Sequence, residues 1–206
     1  MTIRFHKGDL PDLVRYRGAG GAVAIDTETQ GLNLWRDRLC LVQLSPGDGS
    51  ADIVQVTPAS GSAPNLEKLL ADAAITKIFH FARFDMAVLY NRLGVMAEPV
   101  FCTKIASKLT RTYTDRHGLK DLVKDLLDIE LSKQQQSSDW AADTLSDAQL
   151  AYAAADVVHL HALKERFEAR LRREGRTELA AACFRFLSTR ASLDIAGWGE
   201  EDIFAH

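Results

Sequence analysis

Cysteine is scarce in this sequence and gives no sign of a disulfide framework or a thiolate metal site. Cys40, Cys102 and Cys183 lie far apart, without a C-x-x-C pair or a histidine at ligand spacing. An odd number of separated cysteines is typical of a protein whose thiols stay reduced. We therefore expect the three cysteines to be core or boundary residues, and we expect the protein to work in the cytoplasm.

Long hydrophobic runs and an excess of positive charge are also missing. No apolar stretch approaches the ~20 residues that a helix needs to cross a bilayer, and the first residues lack the basic-then-apolar order of a signal peptide. The sequence has 25 Lys and Arg against 28 Asp and Glu, which gives a formal charge of −3. This balance disfavours a protein that holds long nucleic acids by a broad basic surface. We expect a soluble protein with no membrane partner and, if it acts on nucleic acid, a short substrate.

The order of apolar patterns predicts one α/β domain over residues 1–206. With 47% hydrophobic residues, the chain can bury one sizeable core. A short helix is predicted at 9–14 with Asp9 as its cap, followed by three extended segments whose last two form an antiparallel meander. Strands and helices then alternate, a Ser146–Gln149 capping box opens a long helix, and a helical tail begins near 170. The expected architecture is a mixed central sheet flanked by helices.

Four carboxylates and a tyrosine carry most of the chemical information in the chain. Asp26 and Glu28 lie two residues apart in a run of small and β-branched residues, so a buried strand would point both to one face. Strands rarely bury two acids without a cation. Tyr152 and Asp156 lie four residues apart in a predicted helix and share a face, and Asp85 stands just inside another predicted helix.

Each of these residues also has an ordinary explanation when it is taken alone. A D-x-E pair arises often by chance, an acid near a helix start is favoured by the helix dipole, and a tyrosine often lines an amphipathic core. Their joint occurrence, in this order on these elements, favours a metal site. Oxygen-only ligands favour Mg²⁺ or Mn²⁺, and two such ions about 4 Å apart stabilise the attacking and leaving oxygens of an in-line phosphoryl displacement. The set therefore predicts phosphodiester hydrolysis with two metal ions.

The same five residues resemble the three motifs of the DEDD exonuclease superfamily, in its tyrosine-containing (DEDDy) branch. The segments 103–107, 117–122 and 136–157 look like the ribonuclease D family, and the likeness covers most of residues 20–165. The opening 3–10 and the compact length resemble the nanoRNase C family of ribonuclease D relatives. This resemblance implies a ribonuclease H-like fold, a ring-shaped homo-octamer and 3′-to-5′ cleavage centred on diribonucleotides.

The resemblance also implies a role for each member of the set. Asp26, Glu28 and Asp156 would hold the ion that activates water, and Asp26 and Asp85 would hold the ion nearer the leaving oxygen. Tyr152 would orient the water. The leaving group would then be the 3′ oxygen of the preceding nucleotide.

Residues that recognise the substrate are harder to select from sequence. Only about fifty of the 206 residues follow Asp156, too few for the C-terminal helical modules of ribonuclease D, so we expect the catalytic domain or a neighbouring subunit to grip the substrate. Leu32, in the turn after the first motif, is a candidate wedge between two bases, although a turn leucine is as often a core residue. Polar candidates have the same appearance as solvated loop positions; they are Thr27, His80, Arg83, Arg111, Lys133 and the 134–138 loop with Gln136 and Ser137.

Four functional hypotheses follow from these observations. The leading one is a metal-dependent 3′-5′ exoribonuclease that degrades very short RNA, diribonucleotides above all, to mononucleotides in the last step of RNA degradation. A ribonuclease D-like processor of structured RNA and a single-stranded DNA 3′-5′ exonuclease keep the chemistry and change the substrate. The fourth, an inactive nucleic-acid-binding scaffold, predicts a broken acid motif, and none of the motifs is broken.

Overall fold

One mixed sheet of six strands organises the protein. The computed structural model describes residues 1–18, 20–132 and 134–206. In sheet order the strands run β1-β4-β3-β2-β5-β6, with the bounds β1 Thr2–Lys7, β2 Ala22–Thr29, β3 Leu39–Ser45, β4 Ser50–Gln55, β5 Thr76–Phe79 and β6 Val100–Cys102. Strands β2, β3 and β4 form an antiparallel meander, while β1 joins β4 in parallel and β5 and β6 continue in parallel from β2. The predicted α/β class, mixed sheet and meander are confirmed.

Helices cover both faces of this sheet. They are α1 Val14–Arg17, α2 Pro64–Ala71, α3 Ala82–Leu93, α4 Thr103–Thr110, α5 Leu119–Leu127, α6 Asp147–Val158, α7 Leu160–Arg173 and α8 Thr177–Leu193, followed by a π-helical turn at Asp194–Trp198. The predicted capping box is confirmed at the start of α6, where the Ser146 hydroxyl accepts from the Gln149 backbone and the Gln149 side chain accepts from the Ser146 backbone. No helix among the described residues is both long and apolar enough to span a bilayer.

The N-terminal expectation was wrong in a way that tertiary contacts explain. Residues 2–7 form an edge strand, and the short helix begins at Val14 rather than Asp9. The Asp9 carboxylate does cap a helix, but a distant one: it accepts from the backbone N–H groups of Asn65 and Leu66 at 2.8 and 3.0 Å, at the start of α2. A carboxylate there satisfies N–H groups that have no partner within their own helix.

The sheet separates two apolar clusters, and β2 contributes alternate residues to each. Val23 and Ile25 belong to the cluster covered by α2, α3 and part of α8, whereas Ala22 and Ala24 belong to the cluster covered by α5, α6 and α7. Because side chains alternate along a strand, Asp26 and Glu28 continue the α6 side and Thr27 continues the α3 side. The acids of β2 therefore lie where the apolar core ends. Cys40 and Cys102 are buried and Cys183 is half-buried, all three as free thiols, as predicted.

Candidate active site

Three carboxylates converge where β2 emerges from the core. Each of Asp26, Glu28 and Asp156 offers an oxygen, and these oxygens lie within 4.8 Å of one another. Buried alanines, Ala153 and Ala154, allow α6 to lie close against the sheet and bring Asp156 to the strand acids. The local rules of strand and helix thus produce one cluster from two distant segments.

The fourth acid reaches the site from the opposite face of the sheet. Asp85 lies in the first turn of α3, is 4% exposed, and accepts a 2.6 Å hydrogen bond from the hydroxyl of Thr27. Burial and the nearby charge of Asp26 raise the pKa of Asp85 well above its ordinary value. Asp26 is therefore flanked by acids on both sides of the strand, and Thr27 orients the one on the α3 side.

Crowding gives the acids an unusual affinity for protons. Burial raises the pKa of Asp26 to about 7 and, together with the charge of Asp26, that of Asp156 to about 8. For Glu28, burial and the charges of Asp26, Asp156 and Asp85 raise the pKa to about 9. Like charges in a shielded pocket cannot all ionise without compensation. A set of oxygen donors with this much negative charge fits a hard divalent cation such as Mg²⁺.

Tyr152 stands beside the cluster with its proton retained. Burial, followed by the charges of Asp156, Glu28 and Asp26, raises the pKa of the Tyr152 hydroxyl, so it acts as a hydrogen-bond donor at neutral pH. Its ring lies 5.9 Å from the ring of the buried Trp140. Trp140 lies within the 136–157 segment that resembles ribonuclease D, but its contact with Tyr152 depends on how residues 134–146 fold back.

A buried glutamine beside the acids was missed by the sequence reasoning. Gln43 lies on β3 directly opposite Asp26 in the β2–β3 register and is fully buried. A signal was present, because a polar residue in the middle of the apolar run Leu39–Ser45 has no place in an ordinary core.

The uncharged substrate candidates occupy different environments. Leu32 is 82% exposed in the loop after β2, and Gln136 and Ser137 are exposed in a turn. His80 bonds through Nδ1 to the hydroxyl of Thr103 at 2.9 Å, and burial followed by the charge of Lys104 lowers its pKa to about 3. His80 is therefore neutral at physiological pH and offers no positive charge to a phosphate.

The arginine candidates are already committed to acids of their own chain. Arg83 makes two bonds to Asp194, at 2.5 and 2.6 Å, and one to the carbonyl of Gly199. Arg111 is buried and bonds Asp125 at 2.5 Å and the carbonyl of Arg116 at 3.0 Å. Both cations therefore hold the fold together. Lys133 lies outside the described residues.

Known proteins resemble this chain in sequence and in fold. A family profile described as 3′-5′ exonuclease matches residues 5–172. Ribonuclease D of Granulibacter bethesdensis is 38% identical over 154 residues, 75% of this chain and 38% of that protein, so the chain spans about two fifths of the length of that relative.

Two solved structures match along their full length. Brucella melitensis NrnC with bound Mg²⁺ has a TM-score of 0.95 and 64% identity and covers 100% of both chains. Brucella melitensis NrnC bound to pGG has a TM-score of 0.96 and 64% identity and covers 100% of this chain and 99% of that one. With the strand order and the acid cluster, these likenesses establish the ribonuclease H-like fold of the DEDD exonucleases. The chain therefore belongs to the 3′-5′ exonuclease family, among the NrnC-like relatives of ribonuclease D.

Proposed function

We propose that this protein is a metal-dependent 3′-5′ exoribonuclease that hydrolyses very short RNA, above all diribonucleotides, to nucleoside monophosphates. The observation that carries the proposal is the convergence of Asp26, Glu28 and Asp156 within 4.8 Å, in a chain that matches NrnC bound to pGG over its full length. Such a nuclease would complete RNA degradation in the cytoplasm, within a single domain over residues 1–206.

The positions of the acids support phosphodiester hydrolysis with divalent cations. We assign one Mg²⁺ or Mn²⁺ site to Asp26, Glu28 and Asp156, and a second to Asp26 and Asp85. Ions held there would lower the pKa of water and neutralise the charge that develops on the phosphate. The chain supplies the positions of the ligands: Thr27 holds one oxygen of Asp85, and the meeting of β2 with α6 sets the separation of the other three acids.

Tyr152 supplies the hydroxyl group that orients the attacking water. Because its hydroxyl keeps its proton, it can donate to the attacking water while that oxygen's lone pair faces the phosphorus. The contact with Trp140 restricts the ring to one side of the cluster. Tyr152 therefore fixes the direction in which water attacks. The acids would lower the activation barrier of the reaction through the cations that they hold.

Exposure to solvent supports Leu32, Gln136 and Ser137 as substrate contacts. Leu32, which extends into solvent after β2, is available to wedge between two bases. The exposed Gln136 and Ser137 are candidates for the 5′ phosphate. Thr27 and His80 stay candidates for uncharged hydrogen bonds to the substrate, since Thr27 already bonds Asp85 and His80 is neutral. The charge of −3 supports a small substrate over a long one, because each additional phosphate needs a cation.

We also propose that the protein is a homo-oligomer, an octamer by family resemblance. Large apolar side chains are exposed near the C-terminus, where Phe186, Trp198 and Phe204 are 39%, 44% and 75% exposed. Exposed aromatic residues of this size are typical of protein interfaces. Light scattering that reports a monomer at micromolar concentration would contradict the octamer.

A series of RNA lengths tests the substrate. Purified protein with Mg²⁺ or Mn²⁺ is incubated with 5′-labelled RNAs of two to ten nucleotides, and we expect the dinucleotide to be cleaved much faster than the rest. Cleavage of the ten-mer at the rate of the dinucleotide would favour ribonuclease D-like processing. A parallel series of DNA oligonucleotides tests the single-stranded DNA alternative. Asp85→Asn is the matched inactive control, and turnover by that variant would remove the two-metal mechanism.

A further inference from the structure

Besides the indole of Trp140, Gln43 is the buried side chain whose nitrogen and oxygen atoms all lack a hydrogen-bond partner in the described part of the chain. It is 0% exposed in the middle of β3, and neither Oε1 nor Nε2 has a hydrogen-bond partner among the described residues. The other buried Ser, Thr, Gln, Lys, Arg and Asp side chains in the described part of the chain each make at least one hydrogen bond. Since an unpaired buried amide is unfavourable for the folded state, its presence in an apolar strand requires a reason.

The strand register places this amide beside the acid cluster. Gln43 lies directly opposite Asp26, with Ser45 opposite Ala24 and Leu41 opposite Glu28. Residues directly opposite each other share a sheet face, with Cβ atoms roughly 5 Å apart. This is the face that α6 covers and from which Asp156 approaches. The side chain of Gln43 therefore leaves the sheet on the same face as Asp26 and Glu28, beside that of Asp26.

An amide is well suited to orient a metal-binding carboxylate. Its NH₂ group donates a hydrogen bond without the positive charge that would compete with a cation, and without the extra negative charge of another acid. Carboxylates that bind metal ions are themselves hydrogen-bonded by neighbouring side chains, and loss of such a neighbour typically weakens metal affinity or activity 10- to 100-fold.

We propose that Gln43 is a positioning residue of the divalent-cation site. In the cation-bound protein its Nε2 donates a hydrogen bond to the Asp26 carboxylate and fixes the orientation of that group, and the lone pairs that this bond does not use stay available on the side of Glu28 and Asp156 and on the side of Asp85. The inference rests on the proposed function, because it assumes that these three acids hold a cation. On this proposal, the unpaired amide is unfavourable for folding and is present because the cation site uses it. Residues with a functional role are often unfavourable for the fold in this way.

Replacement of the amide by an apolar group of similar shape separates this role from a packing role. Gln43→Met keeps an unbranched side chain of similar volume and removes both polar atoms. The matched control is Gln55→Met, which removes a buried glutamine that donates to the carbonyl of Ala142 at 2.9 Å. Mg²⁺ binding is measured by calorimetric titration, and stability by urea unfolding in EDTA.

The two variants are expected to show opposite patterns of stability and Mg²⁺ affinity. Gln43→Met should unfold at the same or a higher urea concentration than wild type and should bind Mg²⁺ 10- to 100-fold more weakly. Gln55→Met should unfold at a lower concentration and bind Mg²⁺ like wild type. Gln43→Leu repeats the measurement with a different packing shape if the methionine variant does not fold.

The possible failures are distinguishable. If wild type binds Mg²⁺ and cleaves RNA while Gln43→Met, or Gln43→Leu in its place, binds Mg²⁺ within threefold of wild type, the positioning role is overturned and the proposed function stands. If wild type itself binds no Mg²⁺ and cleaves no RNA, both are overturned.

Discussion

The buried acid cluster predicts that neutralising one acid makes the metal-free protein more stable. In Asp26→Asn, a side chain of nearly the same shape loses its charge and keeps an oxygen that can accept from the Thr27 backbone. A pKa that rises from 3.8 to about 7 corresponds to roughly 4 kcal/mol of unfavourable free energy for the ionised form. After an allowance for burying an imperfectly paired amide, we expect a net gain of about 2 kcal/mol at pH 8.

The pH dependence of this gain has a definite sign. Because the folded pKa of Asp26 is raised, the native state holds the proton more tightly, and wild type loses stability as the pH rises from about 4 to about 7. The asparagine variant has no such loss. The difference in unfolding free energy should therefore grow by roughly 2–3 kcal/mol between pH 5 and pH 8 and then level off.

Urea unfolding in EDTA, followed by circular dichroism, measures the gain in stability at pH 8 and its change between pH 5 and pH 8. When Mg²⁺ replaces EDTA, the midpoint of wild type should rise and that of Asp26→Asn should stay nearly unchanged, since binding to the native state stabilises it by mass action. Asp52→Asn is the matched control. Asp52 is also a buried acid, but it accepts from Arg15, Tyr16 and His6, so its neutralisation should destabilise the protein. Lower stability of Asp26→Asn at pH 8, or an equal gain at pH 5 and pH 8, would refute the reasoning.

Three further substitutions test separate parts of the site and the fold. Tyr152→Phe should lower kcat by about 100-fold with Mg²⁺ affinity retained in a calorimetric titration; an unchanged kcat would mean that the hydroxyl does not orient water. Leu32→Ala should raise KM for a dinucleotide severalfold without changing Tm, because Leu32 is 82% exposed; a lower Tm would indicate a core role instead. Lys77→Met should cost about 2 kcal/mol in urea unfolding, because Lys77 Nζ donates to the carbonyls of Asp72 and Glu98 at 2.6 and 2.5 Å; an unchanged midpoint would contradict that account.

Sequence patterns were reliable where a segment's own chemistry decides its structure. The helix opened by Ser146 was predicted from its capping box, and the meander from two alternating segments joined by a turn. The patterns failed for residues 2–7 and for β6 at Val100–Cys102, because short strands are stabilised mainly by their neighbours in the sheet. Asp9 shows the same limit, since its cap was recognised and then assigned to the wrong helix.

For the site, the types and spacing of the residues were enough to predict the chemical class. Asp26, Glu28, Tyr152 and Asp156 follow the spacing rules of strand and helix, and those rules alone predict which side chains point the same way. Tertiary packing set which faces meet. It brought α6 against β2, directed Asp85 from the other side of the sheet through Thr27, and placed Gln43 opposite Asp26. The physical reason is that spacing acts within one element, whereas register, burial and electrostatic coupling arise between elements that are distant in the chain.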